Sequence, residues 1–253
     1  MKTNFLSILW ISTIGILFFT ACKKDETTPD LSETLYGPEV EIGNGTIRSF
    51  IEKDATGTPT VLGLEFPASA LENLPQGAEH GESFILELPE TLAPYDHISF
   101  DWNEHGHGPQ GIYDIPHFDV HFYFMSFEDR MQIGPFDTLQ FANKPDPKYL
   151  PDNHIWTDGV PTMGAHWIDP TSPELNGAPF TKTFIFGSYD GEVTFIEPMI
   201  SLDYLKGKPG EATTPIPQPT EWQKAGYYPM TYSIRYDAAK GRYSITLDQL
   251  RKE

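Results

Sequence analysis

The residues most able to do chemistry stand on alternate positions of one short stretch. Between Ile115 and Met125, Pro116, Phe118, Val120, Phe122 and Phe124 share one parity, while His117, Asp119, His121 and Tyr123 share the other. Alternation of this kind marks a strand with one face in a core. The opposite face then presents two imidazoles and a carboxylate, donor types suited to Zn²⁺ or another first-row divalent metal ion. Side chains two apart on a strand face stand ~6.6 Å apart, and those four apart ~13 Å. One ion can therefore take His117 with Asp119, or Asp119 with His121. It takes both histidines only where a bulge bends the strand. Further ligands are expected from His107, in His105-Gly106-His107-Gly108, from His166, in Gly164-Ala165-His166-Trp167, and from Glu197, in Phe195-Ile196-Glu197-Pro198. Asp119 has a second role open to it, as acceptor for the Nδ1 proton of a ligating histidine. Two other readings stand beside the metal site: a metal-free polar pocket that takes a small ligand, and a solvated face whose charges pair across strands.

If an ion is held, the chemistry it favours is hydrolysis or isomerisation, with metal-bound water as nucleophile and Glu197 as general base. Whether the protein is an enzyme at all stays open at this stage. Gly187-Ser188-Tyr189 is not a nucleophile elbow, and no P-loop, dinucleotide fingerprint or EF-hand loop occurs. Trp102, Trp156, Trp167 and Trp222 offer surfaces for stacking on sugars, although scattered tryptophans are more often core. A non-enzymatic alternative is therefore a carbohydrate- or protein-binding module, and a third is an oligomeric structural protein.

The elements that must position these groups read as mainly β, an antiparallel β-barrel or sandwich with a few short helices. Period-two segments recur at 46–51, 61–66, 83–88, 97–102, 115–125 and 165–168. Two hairpins follow: 183–186 with 192–196 around Asp190-Gly191, and 228–236 with 242–247 across Lys240-Gly241. Short helices are expected after Phe66, after Ser126 (an N-cap with an acid three residues on) and after Ser201. Residues 134–163 and 207–219 read as loops, the first long enough to suggest a role of its own.

The N-terminus speaks to location. Lys2 precedes an apolar run from Phe5 to Ala21, and Phe19-Thr20-Ala21-Cys22 matches a lipobox except that Phe19 stands where leucine is usual. This predicts a signal peptide over 1–21, a lipidated Cys22 opening a flexible tether to 38, and one β-rich domain over 39–253. It also predicts membrane attachment through the lipid at the cell envelope, at the outer membrane with the leaflet open. Cys22 is the only cysteine, so lipidation leaves no intrachain disulfide. A formal net charge of −19 opposes binding to nucleic acid or to anionic lipid surfaces. Seventeen Phe and twelve Tyr are far more aromatic content than a disordered chain carries.

One family resemblance rests on motif order. Gly111-Ile112-Tyr113-Asp114-Ile115-Pro116-His117-Phe118-Asp119-Val120-His121-Phe122-Tyr123 is followed by Met163-Gly164-Ala165-His166-Trp167, then Phe186-Gly187-Ser188-Tyr189-Asp190-Gly191, then Phe195-Ile196-Glu197-Pro198-Met199-Ile200. This order resembles the TTHB-like family of uncharacterised bacterial secreted and lipoprotein domains. The resemblance implies an envelope-exported β-rich domain and self-association as a homo-oligomer, and it implies no activity.

Overall fold

The computed structural model describes Met1, residues 32–77 and residues 81–253. The predicted leader, Cys22 and the first part of the tether lie outside the described residues. In chain order the strands are β1 (Glu33–Tyr36), β2 (Val40–Ile42), β3 (Gly45–Lys53), β4 (Pro59–Pro67), β5 (Glu82–Leu92), β6 (Tyr95–Asn103), β7 (His117–Tyr123) and β8 (Ile155–Val160). They continue as β9 (Gly164–Ile168), β10 (Lys182–Tyr189), β11 (Glu192–Ser201), β12 (Glu211–Pro215), β13 (Tyr227–Tyr228), β14 (Thr231–Asp237), β15 (Arg242–Asp248) and β16 (Arg251–Lys252). Among the described residues three short helices, α1 (Phe127–Arg130), α2 (Thr138–Ala142) and α3 (Leu202–Lys206), lie in the connections.

The strands form two seven-stranded antiparallel sheets and a two-stranded ribbon of β13 with β16. The first sheet runs β1-β3-β4-β15-β14-β12, with β2 also on β3; the second runs β5-β6-β7-β11-β10-β9-β8. Neither path returns to its first strand, so of the two expected architectures the sandwich is the one found. The apolar parity of each sheet meets in one shared core. Ile47, Ile51, Leu62, Leu64, Ile234 and Ile245 from the first sheet join Leu86, Ile98, Phe100, Phe118, Val120, Phe122, Phe186 and Ile196 from the second. Phe100 stacks on Phe118 at 4.4 Å between ring centres, tying neighbouring strands on the core face.

Several boundaries differ from the sequence-based expectation. β1 begins inside the segment read as tether and pairs with β3, Leu35 opposite Ile51. Four residues, mostly exposed, are too few to show a period. The turn after Phe66 is 3₁₀ and ends at Leu71. The long connection 134–163 contains α2, a 3₁₀ turn at Pro147–Tyr149 and the edge strand β8, and the stretch after 207 contains β12. Like β1, these two strands sit at sheet edges, where few residues are buried. The Ser126 cap forms as expected: its Oγ accepts from the Asp129 amide at 3.0 Å.

The polar face of β7 is not open to solvent. All seven residues of β7 are buried, including His117, Asp119 and His121. That excludes the solvated-face reading of this strand. A second apolar cluster roofs this face: Tyr113 and Phe180 come from the loops before β7 and β10 and pack with Ile185 of β10 and Met199 of β11, with Ile112 and Ile168 against them. Tyr113 Oη donates to buried Glu174 at 3.0 Å and fastens one loop to the other.

Candidate metal centre

Register places the polar side chains. β7 lies between β6 and β11, with Asp101 opposite Asp119, Ser99 opposite His121 and Asn103 opposite His117. Across the other edge Met199 faces Asp119 and Ile196 faces Phe122, which sets Glu197 beside His121. His166 arrives from β9 through its pairing with Gly187 of β10. Gly187 is required here: a Cβ at that position would run into the ring of Phe195. His107 arrives from the loop before β7. Gly106, at φ +66°, turns that loop so tightly that a side chain would meet the backbone of Tyr113 and Ile115. The His107 amide donates to the Tyr113 carbonyl at 3.1 Å and the ring stands edge-on to His117, 4.7 Å between centres.

The predicted site residues converge as two adjacent groups: His107, His117 and Asp119, and His121, His166 and Glu197. In the first, Asp119 has Oδ2 3.2 Å from His107 Nε2 and Oδ1 3.2 Å from His117 Nε2. In the second, Glu197 Oε2 lies 3.4 Å from His121 Nε2 and 3.7 Å from His166 Nε2. Asp119 thus goes with His117 and His121 with the other group, one of the two pairings that strand spacing allows. His105 joins neither and stays at the surface, 3.7 Å from Glu104.

The histidines are held with a common polarity. His117 Nδ1 donates to the Ile115 carbonyl at 2.7 Å, and His107 Nδ1 to the Gly108 carbonyl at 2.8 Å. His121 Nδ1 donates to Asp101 Oδ2 at 2.8 Å, and Asp101 Oδ1 accepts from Ser99 Oγ at 2.6 Å. Carbonyls and carboxylates accept, so each Nδ1 carries a proton; a neutral ring then presents a lone pair at Nε2, whereas His107, whose Nε2 also meets Asp119 Oδ2 at 3.2 Å, carries a second proton that an ion would replace. Within these two groups, four of the buried side-chain atoms have no hydrogen-bond partner: His117 Nε2, Asp119 Oδ1, His121 Nε2 and Glu197 Oε2. They face one another in pairs, one pair inside each group. Lone pairs brought together without a proton between them are costly when buried, unless a cation sits among them.

Electrostatics follows from the same packing. Burial pulls the His107 imidazole down, but the hydrogen bond and charge of Asp119 outweigh it and lift the group to about 9. Burial would raise Asp119, yet His117 and His107 hold its carboxyl well below the usual carboxylate range. Burial pushes Glu197 up to about 7 against the opposing effect of His121. Burial, and then the charge of His121, drive His166 down to about 3.

Asp101 was not anticipated, nor were Ser99 and Asn103, whose Nδ2 donates to Asp119 Oδ2 at 2.8 Å. The signal was present: His97, Ser99, Asp101 and Asn103 alternate with Ile98, Phe100 and Trp102, the same parity rule that exposed β7. Trp102 and Trp167 are buried in the core, which removes two of the four surfaces considered for sugar stacking.

A family model described as TTHB210-like, hypothetical protein TTHB210, matches residues 54–102. The chain is similar to that uncharacterised family over this stretch. The match runs from just before β4 to β6 and includes Asp101, whereas the motifs that carried the resemblance in the sequence lie beyond it, at 111–200. No curated protein and no solved structure gives a significant match.

Proposed function

We propose that this protein holds divalent metal on the outer face of its second sheet, in a Zn²⁺-type centre of imidazole and carboxylate ligands. One observation carries the reading. In each group a buried imidazole nitrogen faces a buried carboxylate oxygen, His117 Nε2 with Asp119 Oδ1 at 3.2 Å and His121 Nε2 with Glu197 Oε2 at 3.4 Å, and none of the four makes a hydrogen bond. Two histidines and one carboxylate per group, with a fourth position for water, is the ligand count of catalytic rather than purely structural zinc sites. The reaction class that suits such water is hydrolysis or isomerisation. Glu197 is counted here among the ligands, so in this reading it gives its carboxylate to the ion and does not act as the free general base expected from the sequence. In this reading the domain is tethered to the cell envelope, at the outer membrane, by lipid on Cys22, a placement supported by the lipobox-like leader.

The test is elemental analysis of purified protein free of any histidine tag, beside the His117→Ala/His121→Ala double variant. Near-stoichiometric divalent metal in the wild type and none in the variant is the expected result. No metal in either after loading with Zn²⁺ or Co²⁺ would defeat the proposal. Given an ion and a measured turnover, Glu197→Gln leaving that turnover unchanged removes Glu197 from the chemistry.

A second reading draws on a different observation. Phe136 and Leu139, in the long connection, are 89% and 82% exposed. Such side chains favour a binding module that engages a protein partner or a glycan through this connection, or a homo-oligomer. Light scattering and glycan-array binding with Phe136→Ser/Leu139→Ser separate these from the metal reading, which that variant leaves intact.

A further inference from the structure

The two ligand groups are neighbours without being equivalent. Asp119 and His121 are two apart on one strand face, so the groups are rooted ~6.6 Å from each other. Bridged two-metal centres hold their ions ~3.5–4 Å apart, closer than that spacing suggests. The groups therefore read as two mononuclear sites.

Their surroundings differ in three respects. The His121 group is drawn wholly from strands β7, β9 and β11, and its side chains are 0%, 16% and 2% exposed for His121, His166 and Glu197. The His107 group takes one ligand from a loop, and that side chain is 44% exposed while His117 and Asp119 beneath it are 0% and 5%. His121 is oriented by a buried carboxylate, Asp101, itself fixed by Ser99. At Nδ1, His107 and His117 are oriented by backbone carbonyls one and two residues away in sequence. A carboxylate behind a ligating histidine raises its basicity and slows loss of the ion.

Resting on the metal reading above, we propose that the two sites have different jobs. The His121–His166–Glu197 site holds a slowly exchanging ion that clamps β7, β9 and β11 together, with Asp101 as its positioning residue. The His107–His117–Asp119 site holds an exchangeable ion, whose position toward solvent takes water or a small anion.

The experiment loads the purified protein with Co²⁺ and follows metal release to a chromogenic chelator, together with the visible spectrum on adding inorganic phosphate. Two ions per chain are expected, leaving in two phases at least ~10-fold apart, with phosphate altering the spectrum of the faster ion. His107→Ala should abolish the fast phase and the phosphate response and keep the slow phase. His166→Ala should do the reverse. Asp101→Asn should speed the slow phase ~10–100-fold, with the fast phase and near-UV circular dichroism unchanged. A single release phase overturns the partition, as does one ion per chain lost in both histidine variants, or loss of the slow ion in His107→Ala. An unaltered slow phase in Asp101→Asn overturns its positioning role. Uptake of no ion at all overturns the metal reading itself, a result distinct from the others.

Discussion

In the proposed centre, His107 and Glu197 hold the protons that a divalent ion would have to displace. With His107 lifted to about 9 it is protonated at neutral pH, and Glu197 near 7 is about half protonated there. Ligation needs the bare imidazole and the carboxylate, so each proton competes with the metal. The sign is the same for both groups: apparent affinity falls as pH drops through 7, and still rises between 7 and 9 as His107 gives up its proton. Titration of Zn²⁺ at pH 7.5 in two buffers of different ionisation enthalpy should show net proton release. Release absent at pH 7.5 would count against His107 as a ligand. At this scale the sequence was most legible. His117, Asp119 and His121 announce themselves by parity, and His107, His166 and Glu197 by residue type near strand ends. Asp101 escaped because one acid among polar neighbours on β6 looks like any half-exposed strand face until its partner across the sheet is known.

Among the elements, β10 has the least freedom. It carries no ligand, yet it separates β9 from β11, and the pair Gly187–His166 brings the imidazole to Glu197 across it. A methyl group at Gly187 meets the Phe195 ring, which also stands edge-on to His121 at 4.8 Å. Gly187→Ala should therefore cost about 1–3 kcal/mol of stability through overpacking. It should also displace His121 and His166 from Glu197. Urea denaturation and metal analysis of that variant check both effects, and a wild-type midpoint with full occupancy would refute the argument. The long strands of the second sheet were readable because their core parity is uniformly apolar, as in Phe118, Val120 and Phe122. The edge strands β1, β8 and β12 were not, since only one side of an edge is paired and little of it is buried. The burial of the ligand face was also beyond reach, because it depends on Tyr113 and Phe180 meeting from loops distant in sequence.

For the folded body as a whole, buried histidines set the response to acid. Burial lowers His97, His154 and His166 below the ordinary 6.5. Such a group stays neutral in the fold and takes its proton only in the unfolded chain, so the unfolded state binds more protons as pH falls below about 6.5. Stability should therefore decline on acidification from that point. His107 and His121 act in the opposite sense, being raised; their contribution is full below 6.5 and fades as pH climbs through their folded values. His154 isolates the first effect, because it stands outside the ligand groups, edge-on to Phe186 at 5.4 Å. His154→Leu should flatten the fall in urea midpoint between pH 7 and 5.5. An unchanged slope would assign the acid response elsewhere.

The strict alternation along β7 also bears on how the chain finds its own alignment. Sliding this strand by one residue against β6 or β11 would turn His117, Asp119 and His121 into the layer between the sheets, and Phe118, Val120 and Phe122 out toward the ligands. Two polar rows and two greasy rows would be mismatched together, on both surfaces of the strand at once. A bound cation adds a third vote, since it can be gripped only in the correct alignment. Metal present during refolding would then act as a proofreader of strand pairing, selecting one arrangement from those the backbone alone would tolerate.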